Sequence, residues 1–500
     1  MSGSFDVVII GSGVGGGCIA HVLAPTGARI VILERGARLP REDRNWDPEA
    51  VYANAVYKSE ERWVDGSGRS FRPGQFYYVG GHTKVFGATM FRLRREDFLA
   101  MEHEGGLSPA WPIDYDTLEP YYARAERLFG VHGEAGADPT EPPRSDPYPH
   151  PPLRHNPVIA ALAERLRAQG LRPFPMPSSV QDHEGGACVR CNTCDGFPCR
   201  LGAKGDAETR LIDPVLQHEN VALRCETQVV RLRADTSGRR VVAAELVDGT
   251  EVRGGLFVLA AGAVNSAAIL LRSAHAKHAR GLANASGMVG RHYMNHNCTA
   301  VMAVRPFRAN RETFQKTLAL NDYYLGDGKG GPPLGNLQLL GKIMEPMLRN
   351  EIRRVPRWAR AWLAAHSVDW YAMSEDFPHP ESRVRVRGDG AIVLDWRRTN
   401  IAAHKTLVAK ARRMLRAAGF PIVLSKAFSK ETPSHQCGTV RFGHDPAEAP
   451  LDPYCKAFDL DNLYVVDASF FPSSAAVNPA LTVAAQALRA GEHIASTALH

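Results

Sequence analysis

The chain has 500 residues, 44% of them hydrophobic and 23% charged, which is typical of folded globular proteins and excludes a disordered chain. The chain is longer than one hydrophobic core usually organises, so we expect two domains or one domain with a large insertion. The net charge of +7 permits an anionic cofactor but gives no reason to predict nucleic acid binding. No apolar run reaches 18 residues, so no membrane span is predicted, and the absence of a signal-peptide pattern favours a cytoplasmic location.

The first predicted unit is a strand, a glycine turn, a helix and a second strand within residues 5–36. The run FDVVII precedes GSGVGGG, in which Gly11, Gly13 and Gly16 fit the pattern G-x-G-x-x-G, and Glu34 ends the second strand. Such glycines permit a tight turn, a close approach to a pyrophosphate and helix packing, while the acidic residue accepts a hydrogen bond from a ribose hydroxyl. The unit therefore predicts a dinucleotide site, and the glutamate argues against a 2′-phosphate.

The segments that follow predict where the chain leaves this nucleotide domain and returns to it. Residues 138–152 are rich in proline and charge and indicate a linker or surface loop, and residues 158–169 look helical. Apolar strands are predicted near 220–262 and 460–470, and a helix is predicted at 479–497. Strands from these three regions fit one sheet, so we expect a discontinuous domain.

Four of the nine cysteines are bunched in one loop, at Cys188, Cys191, Cys194 and Cys199. Their spacing is close to the bacterial ferredoxin pattern but differs at the last step, and Pro198 precedes the fourth cysteine instead of following it. An iron–sulfur cluster, a zinc site and a metal-free loop of thiols or disulfides all remain open. We favour the metal-free loop, and no metal ligand is assigned.

A basic and aromatic stretch covers residues 349–371. We favour an amphipathic helix of the substrate domain, broken at Pro356, with its aromatic residues packed inward. The alternatives are a helix that docks on a membrane surface or a partner, or a substrate pocket lined by Trp362, Trp370 and Tyr371.

Three features favour FAD over NAD as the dinucleotide. The glycine motif begins within a dozen residues of the N-terminus, the chain has no second G-x-G-x-x-G between a predicted strand and a predicted helix, and the pattern VVDAS…NPALT returns the C-terminus towards the cofactor. The final helix looks as if it begins at Pro479, which would aim a positive helix end at the flavin.

Together these motifs resemble the glucose–methanol–choline (GMC) oxidoreductase family of flavoproteins. The resemblance covers nearly the whole chain and is carried by IIGSGVGG, by YYVGGHTKVFGATMFRLR at 77–94, by LAAGAVNSAAILLRS at 259–273, and by the C-terminal pattern at 435–494. It implies an FAD-binding domain of α/β type, Rossmann-like and discontinuous, joined to an α+β substrate domain built on an antiparallel sheet. The implied FAD-binding segments are 1–110, 186–300 and 441–500, with substrate-binding segments at 111–185 and 301–440.

The resemblance also implies flavin contacts at positions that match the family's motifs. These are Gly80, Gly81, Thr83 and Gly87 in the second loop, Val229 beside the adenine, Ala261 and Gly262 after the central strand, and Asp467 and Ala468 at the last strand end. Some relatives attach the flavin covalently through a histidine where this chain has Val85, so we expect non-covalent FAD. His82 lies nearby at the wrong spacing and is interpreted as a loop histidine.

The family's catalytic pair corresponds to His435, in the motif H-x-x-G-T, and Asn478, 43 residues later. A neutral imidazole is a suitable base for a hydroxyl proton, and the carboxamide can donate to the alkoxide that develops. Two plainer interpretations stay open: His435 as a structural histidine, and Asn478 as an N-cap of the final helix.

The resemblance implies oxidation of an alcohol, and a sugar, glycoside or polyol is our first expectation. Sterol-like or aryl alcohols are the alternative substrates, and a flavin-bearing electron-transfer subunit of a larger complex is the alternative function. The expected electron acceptor is O2 or a carrier. A small partner subunit, and export together with such a partner, remain open.

Overall fold

The computed structural model describes residues 4–326, 330–432 and 435–499. The α-helices are α1 (Val14–Leu23), α2 (Tyr115–Phe129), α3 (Pro157–Arg167), α4 (Asp213–Val215), α5 (Ala263–Arg272), α6 (Glu345–Leu348), α7 (Arg357–Ala365), α8 (Ile401–Ala417) and α9 (Ala480–Thr497). The β-strands are β1 (Phe5–Ile10), β2 (Ile30–Leu33), β3 (Trp63–Asp65), β4 (Ser70–Phe71), β5 (Met101–His103), β6 (Gly106–Ser108), β7 (Val131–His132), β8 (Phe174–Pro175), β9 (Ser178–Ser179), β10 (Val221–Arg224), β11 (Val229–Ala234), β12 (Val241–Leu246), β13 (Glu251–Leu259), β14 (Met294–Asn295), β15 (Asn297–Val304), β16 (Leu318–Leu320), β17 (Asn336–Leu339), β18 (Ser367–Ser374), β19 (Arg383–Val386), β20 (Ile392–Asp395), β21 (Ile422–Ala427), β22 (Gln436–Cys437) and β23 (Leu463–Val465).

The first large sheet is assembled from three distant parts of the chain. Its order is β10-β2-β1-β13-β12-β11, and β23 pairs with β13. The pairs β10–β2, β2–β1, β1–β13 and β13–β23 are parallel, whereas β13, β12 and β11 form an antiparallel meander. Strands β2 and β23 and the last four residues of β1 are buried apolar runs, as expected for parallel strands covered on both faces. The strands predicted near 5–35, 220–262 and 460–470 therefore do share one sheet.

Helices α1 and α9 pack together against this sheet, where glycines permit close approach. A Cβ added to Gly15 would lie 1.8 Å from the carbonyl oxygen of Val466, and one added to Gly491 would lie 3.0 Å from Cβ of Val22. Most residues of both helices are buried. The start of α1 is thereby fixed against the end of β23.

The second large sheet is antiparallel, in the order β21-β15-β18-β17-β16-β8. Helix α8 packs on β15 and β18, and its buried face meets an apolar cluster that includes Trp370, Leu337 and Leu407. This agrees with the α/β plus α+β class expected from the sequence. The domain bounds given above stay a prediction.

The stretch 349–371 differs from its predicted form. Helix α7 does begin after Pro356, but Trp358 is 76% exposed, so its aromatic residues do not all pack inward. Trp370 and Tyr371 belong instead to β18, whose alternation places Trp370 in the core. The arginines of the stretch lie at or before α7 and two of its aromatic residues lie in β18, so an amphipathic helix with inward aromatic residues was the wrong interpretation. None of the helices formed by the described residues is long and apolar enough to cross a membrane.

Candidate active site

The loops that carry the predicted cofactor residues meet at one edge of the first sheet. Strand ends Ile10 and Leu33 are paired in register, as are Ile10 and Leu259, and Leu259 and Val465. Because all four strands are parallel, the loops after them leave from the same side. Ligands of open α/β sheets bind at this carboxyl edge.

The glycine loop at this edge forms a cradle at the start of α1. Gly13 occupies the N-cap position with extended backbone angles, and no side chain caps the helix there. A Cβ added to Gly13 would meet nothing within 4 Å, whereas one added to Gly16 would lie 2.0 Å from the carbonyl oxygen of Gly11. The first N–H groups of a helix have no intrahelical acceptor and attract anions. The cradle therefore fits a pyrophosphate such as that of FAD.

Glu34 connects this first loop to the second. Its carboxylate accepts hydrogen bonds from the backbone N–H and hydroxyl of Ser12 (3.0 and 2.6 Å) and from the N–H of Gly36 (2.9 Å). Burial raises the pKa of Glu34, although these donors act against the rise. The N–H of Gly80 donates to the Ser12 hydroxyl (3.0 Å), so the two predicted flavin loops are hydrogen-bonded to each other.

The second loop turns at two glycines with left-handed backbone, Gly80 (φ 91°) and Gly81 (φ 58°). A Cβ added to Gly81 would lie 3.2 Å from the Cα of Gly13, so this turn faces the first glycine loop. Thr83 is buried, and its hydroxyl donates to the Gly80 carbonyl and accepts from the N–H of Ala207. Thr83 therefore shapes the loop, and it has no hydroxyl proton left for a ligand.

Gly87 closes the second loop against the cysteine segment. A Cβ at Gly87 would lie 1.8 Å from both Asp195 Oδ1 and Lys316 Nζ, which form an ion pair with each other. Two residues before Gly87, the carbonyl of Val85 accepts a hydrogen bond from the N–H of Gly196 in the cysteine loop (2.9 Å). The cysteine loop therefore packs against the second predicted flavin loop.

The remaining predicted contacts lie after β13 and β23 and at the start of β11. Asp467 is buried and accepts from the Gly262 N–H (2.9 Å), from the Ser266 hydroxyl, and at its other oxygen from the Ser469 N–H (2.9 Å). Burial raises the pKa of Asp467. A Cβ added to Gly262 would meet nothing within 4 Å, so this turn also borders open space.

Three further positions border these turns. Ala261 is partly buried beside Gly262, and the carbonyl of Ala468 accepts from the N–H of Gly438. Val229 begins β11 two residues after Thr227, whose N–H donates to the Glu34 carbonyl (2.8 Å). The predicted adenine-side residue therefore lies near the predicted ribose-side residue.

His435 is brought to the site by a two-residue antiparallel ladder. Met294 pairs with Cys437 and Asn295 with Gln436, so the next residues outward, His296 and His435, stand opposite each other. Their Nδ1 atoms are 2.9 Å apart, and the two rings are nearly perpendicular at 79°. His296 Nε2 lies 2.8 Å from the carbonyl oxygen of Ser474. Nothing local in the sequence marks His296, and it was missed.

The pKa of His435 lies well below the ordinary histidine value. Burial is the main cause, and His296, Lys316 and His82 act in the same direction as neighbouring positive or titratable groups. His82 belongs to the second loop, and its Nε2 lies 2.9 Å from the Oε1 of Gln75, whose amide donates to Gln436. The imidazole of His435 is therefore neutral at physiological pH and can accept a proton.

Asn478 does not cap the final helix. Its Oδ1 accepts from Nε2 of Gln338 (3.0 Å), a buried residue of β17 in the second sheet. Pro479, expected to be the first helical residue, stands one position earlier as the N-cap, and α9 begins at Ala480 without a side-chain cap. With its oxygen engaged, the Asn478 carboxamide keeps its N–H groups as donors. Gln338 is the second residue that the sequence did not reveal.

The cysteine loop holds no metal-binding arrangement. No group of three or more His, Cys, Asp or Glu side chains in the described part of the chain is placed to hold a metal ion. The residues present do not fit an iron–sulfur cluster, and the cysteines form no disulfide among the described residues. The Thr193 hydroxyl donates to Cys191 Sγ, and the Cys194 thiol is the main cause that lowers the pKa of Cys191 to about 5.

Comparison with known proteins agrees with this geometry. Two family models, both described as GMC oxidoreductase, match residues 9–298 and 378–487. The chain is 31% identical to the 6'''-hydroxyparomomycin C oxidase of Streptomyces lividus, over 98% of this chain and 91% of that protein. It is 25% identical to the fructose dehydrogenase large subunit of Gluconobacter japonicus, over 98% of each chain. The fold is similar to that of a pyridoxine 4-oxidase from Mesorbium loti, with a TM-score of 0.67 at 20% identity, covering 98% of this chain and 99% of that one.

Proposed function

The chain belongs to the GMC oxidoreductase family, which makes it an FAD-dependent oxidoreductase of CH–OH groups, and we propose that its substrate is the alcohol of a sugar, glycoside or polyol. The observation that carries the proposal is the neutral imidazole of His435, whose neighbour His82 belongs to the loop that faces the glycine cradle. The relatives named for hydroxyparomomycin and fructose support the substrate class.

We assign the chemical roles as follows. When bound, FAD would supply the oxidant that accepts the hydride of the alcohol carbon. His435 accepts the hydroxyl proton as general base. The Nδ2 group of Asn478 donates to the substrate oxygen, on which negative charge develops as the proton leaves. Gly13, Gly16, Gly80 and Gly81 would hold the cofactor together with Glu34 and the turn at Gly262.

The test is anaerobic mixing of the yellow holoenzyme with a panel of alcohols, among them 6'''-hydroxyparomomycin C, fructose, methyl glucoside and glycerol. At least one member should bleach the flavin band. His435→Ala should stay yellow and bleach about 10² to 10⁴ times more slowly, because it lacks the base. His444→Ala, an exposed histidine nine positions away, is the matched control and should behave as the parent. Equal bleaching by parent and His435→Ala would refute the assignment.

We propose O2 as the electron acceptor, because the relative at 31% identity is named an oxidase. Mixing the reduced enzyme with aerated buffer should restore the yellow colour within the time of one catalytic cycle. Reoxidation by a quinone or dye but not by O2 would instead favour the dehydrogenase alternative. The name of the fructose dehydrogenase large subunit supports that second candidate, in which a partner subunit co-purifies with this chain.

We also propose a reducing compartment, the cytoplasm, as the location. The support is the lack of any disulfide among the described residues of a chain with nine cysteines. Fractionation of cells that express the untagged chain tests this.

A further inference from the structure

The hydrogen-bond geometry around His296 dictates where its ring proton must lie. One ring nitrogen, Nε2, faces the carbonyl oxygen of Ser474 at 2.8 Å, and the other, Nδ1, faces Nδ1 of His435 at 2.9 Å. The residue is 2% exposed and stands opposite His435 through the β14–β22 ladder. The ladder fixes the contact with His435, and the Ser474 carbonyl oxygen engages the opposite nitrogen of the ring, so the ring is held on both sides.

The position of each proton follows from what the partners can do. A carbonyl oxygen only accepts, so His296 Nε2 must carry its proton towards Ser474. Burial lowers the pKa of His296, so the ring is neutral and its Nδ1 holds a lone pair. Two lone pairs cannot face each other at 2.9 Å, and therefore Nδ1 of His435 must carry a proton. In neutral His435 this leaves the lone pair on Nε2.

We propose that His296 is a positioning residue that fixes the proton of His435 on Nδ1 and so reserves Nε2 of His435 as the base. The inference rests on the proposed function, in which His435 removes the hydroxyl proton. In that step the O–H bond of the alcohol breaks and an N–H bond forms at Nε2. The resulting imidazolium keeps its Nδ1–H directed at the His296 lone pair, which stabilises the new charge.

Two substitutions of His296 separate this role from a structural one. In His296→Asn, the asparagine Oδ1 lies near the position of the His296 Nδ1 and keeps an acceptor for His435. This variant loses the donor to the Ser474 carbonyl. In His296→Gln, the glutamine amide reaches the position of the His296 Nε2 and keeps a donor for the Ser474 carbonyl. This variant offers no acceptor to Nδ1 of His435. The positioning role and a role confined to anchoring Ser474 therefore predict opposite orders of activity.

The first experiment compares the two variants as yellow holoenzymes in anaerobic flavin reduction, with the panel alcohol that bleaches the parent fastest. His296→Gln should lose about 10²-fold or more in the reduction rate at saturating substrate, because a misplaced proton removes general base catalysis. His296→Asn should stay within about tenfold of the parent, the cost of one imperfect hydrogen bond. The opposite order would overturn the proposal. The rate–pH profile of His296→Gln should also change its apparent pKa, which a purely structural role would not do.

The second experiment does not depend on turnover, so it separates failure of this inference from failure of the proposed function. Nitrogen-15 NMR of the histidine-labelled holoenzyme reports the protonated nitrogen of each ring, and His435→Ala identifies the His435 signals. We expect a neutral His435 protonated at Nδ1 at pH 7.5, and a shift towards protonation at Nε2 in His296→Gln. An Nε2-protonated His435 in the parent would refute the inference even if every alcohol bleached the flavin. Lys316 and His82 act on His435, and Glu375 acts on His296, so none of these is substituted in the comparison.

Discussion

Substituting Gly13 by alanine tests the cofactor cradle without disturbing the fold. Gly13 has φ −70° and ψ −167°, which alanine adopts freely, and its added Cβ meets nothing within 4 Å. The apoprotein should therefore lose no more than about 1 kcal/mol, the difference between Gly and Ala at an N-cap. Bound FAD is affected differently, because the methyl group stands where the backbone must approach the pyrophosphate.

The size of the effect follows from the hydrogen bonds at stake. A hydrogen bond to a charged group contributes about 1.5–3 kcal/mol, so losing one should raise the Kd for FAD about 10- to 150-fold. The assay is fluorescence titration of flavin-stripped protein with FAD, with circular dichroism as the check on folding. Gly388→Ala is the matched control, since its Cβ also meets nothing but lies in the β19–β20 turn. Gly16→Ala should lose folding as well, because of its 2.0 Å clash with Gly11. A folded Gly13→Ala protein that binds FAD as tightly as the parent would refute the cradle.

Three further predictions concern other parts of the molecule. Gln338→Leu frees the Asn478 carboxamide to rotate, so anaerobic flavin reduction should slow about tenfold while the Kd for FAD stays constant; an unchanged rate would contradict the orienting role. Burial holds the pKa of His404 at about 4 in the folded protein, against 6.5 when unfolded. Between these values only the unfolded chain binds the proton, so stability falls as pH falls from 6.5 to 4, by about 3 kcal/mol in all from this residue. In thermal unfolding, the Tm of His404→Gln should therefore lie closer to that of the parent at pH 4.5 than at pH 7.5. Equal differences in Tm at the two pH values would refute this. Because the pKa of Cys191 is about 5, iodoacetamide at pH 6.5 should alkylate it before Cys194, as read by peptide mass spectrometry; the reverse order would contradict the assignment.

The elements predicted best are those whose signal is local. The runs FDVVII, LFVLAAGA and NLYVVDA are mainly apolar and lead into glycine or acidic turns, and each of them contains a strand or the end of one in the structure. The last helix was placed within one residue, because a proline marks its start. The prediction for 349–371 failed, because the run WLAAHSVDWY contains no glycine or proline to mark where α7 ends and β18 begins.

The two residues that contact the proposed catalytic pair could not be predicted, for a different physical reason. His296 reaches His435 through a ladder that joins residues about 140 positions apart, and Gln338 reaches Asn478 from another sheet. Register between such segments depends on the packing of the whole molecule, and a one-residue shift would turn either side chain to the other face. A lone histidine in YMNHNC and a glutamine in NLQL carry no pattern of their own.

The assembly of the first sheet from three distant segments has a consequence for biosynthesis. Strand β23 and helix α9 come from the last forty residues, yet β23 borders β13 and α9 covers α1 beside the glycine loop. A nascent chain can form β1, α1 and β2 early, but β23 and α9 cannot pack beside its glycine loop until translation is nearly finished. Cofactor loading must therefore be a late event, and chains that terminate prematurely should emerge colourless and prone to aggregate.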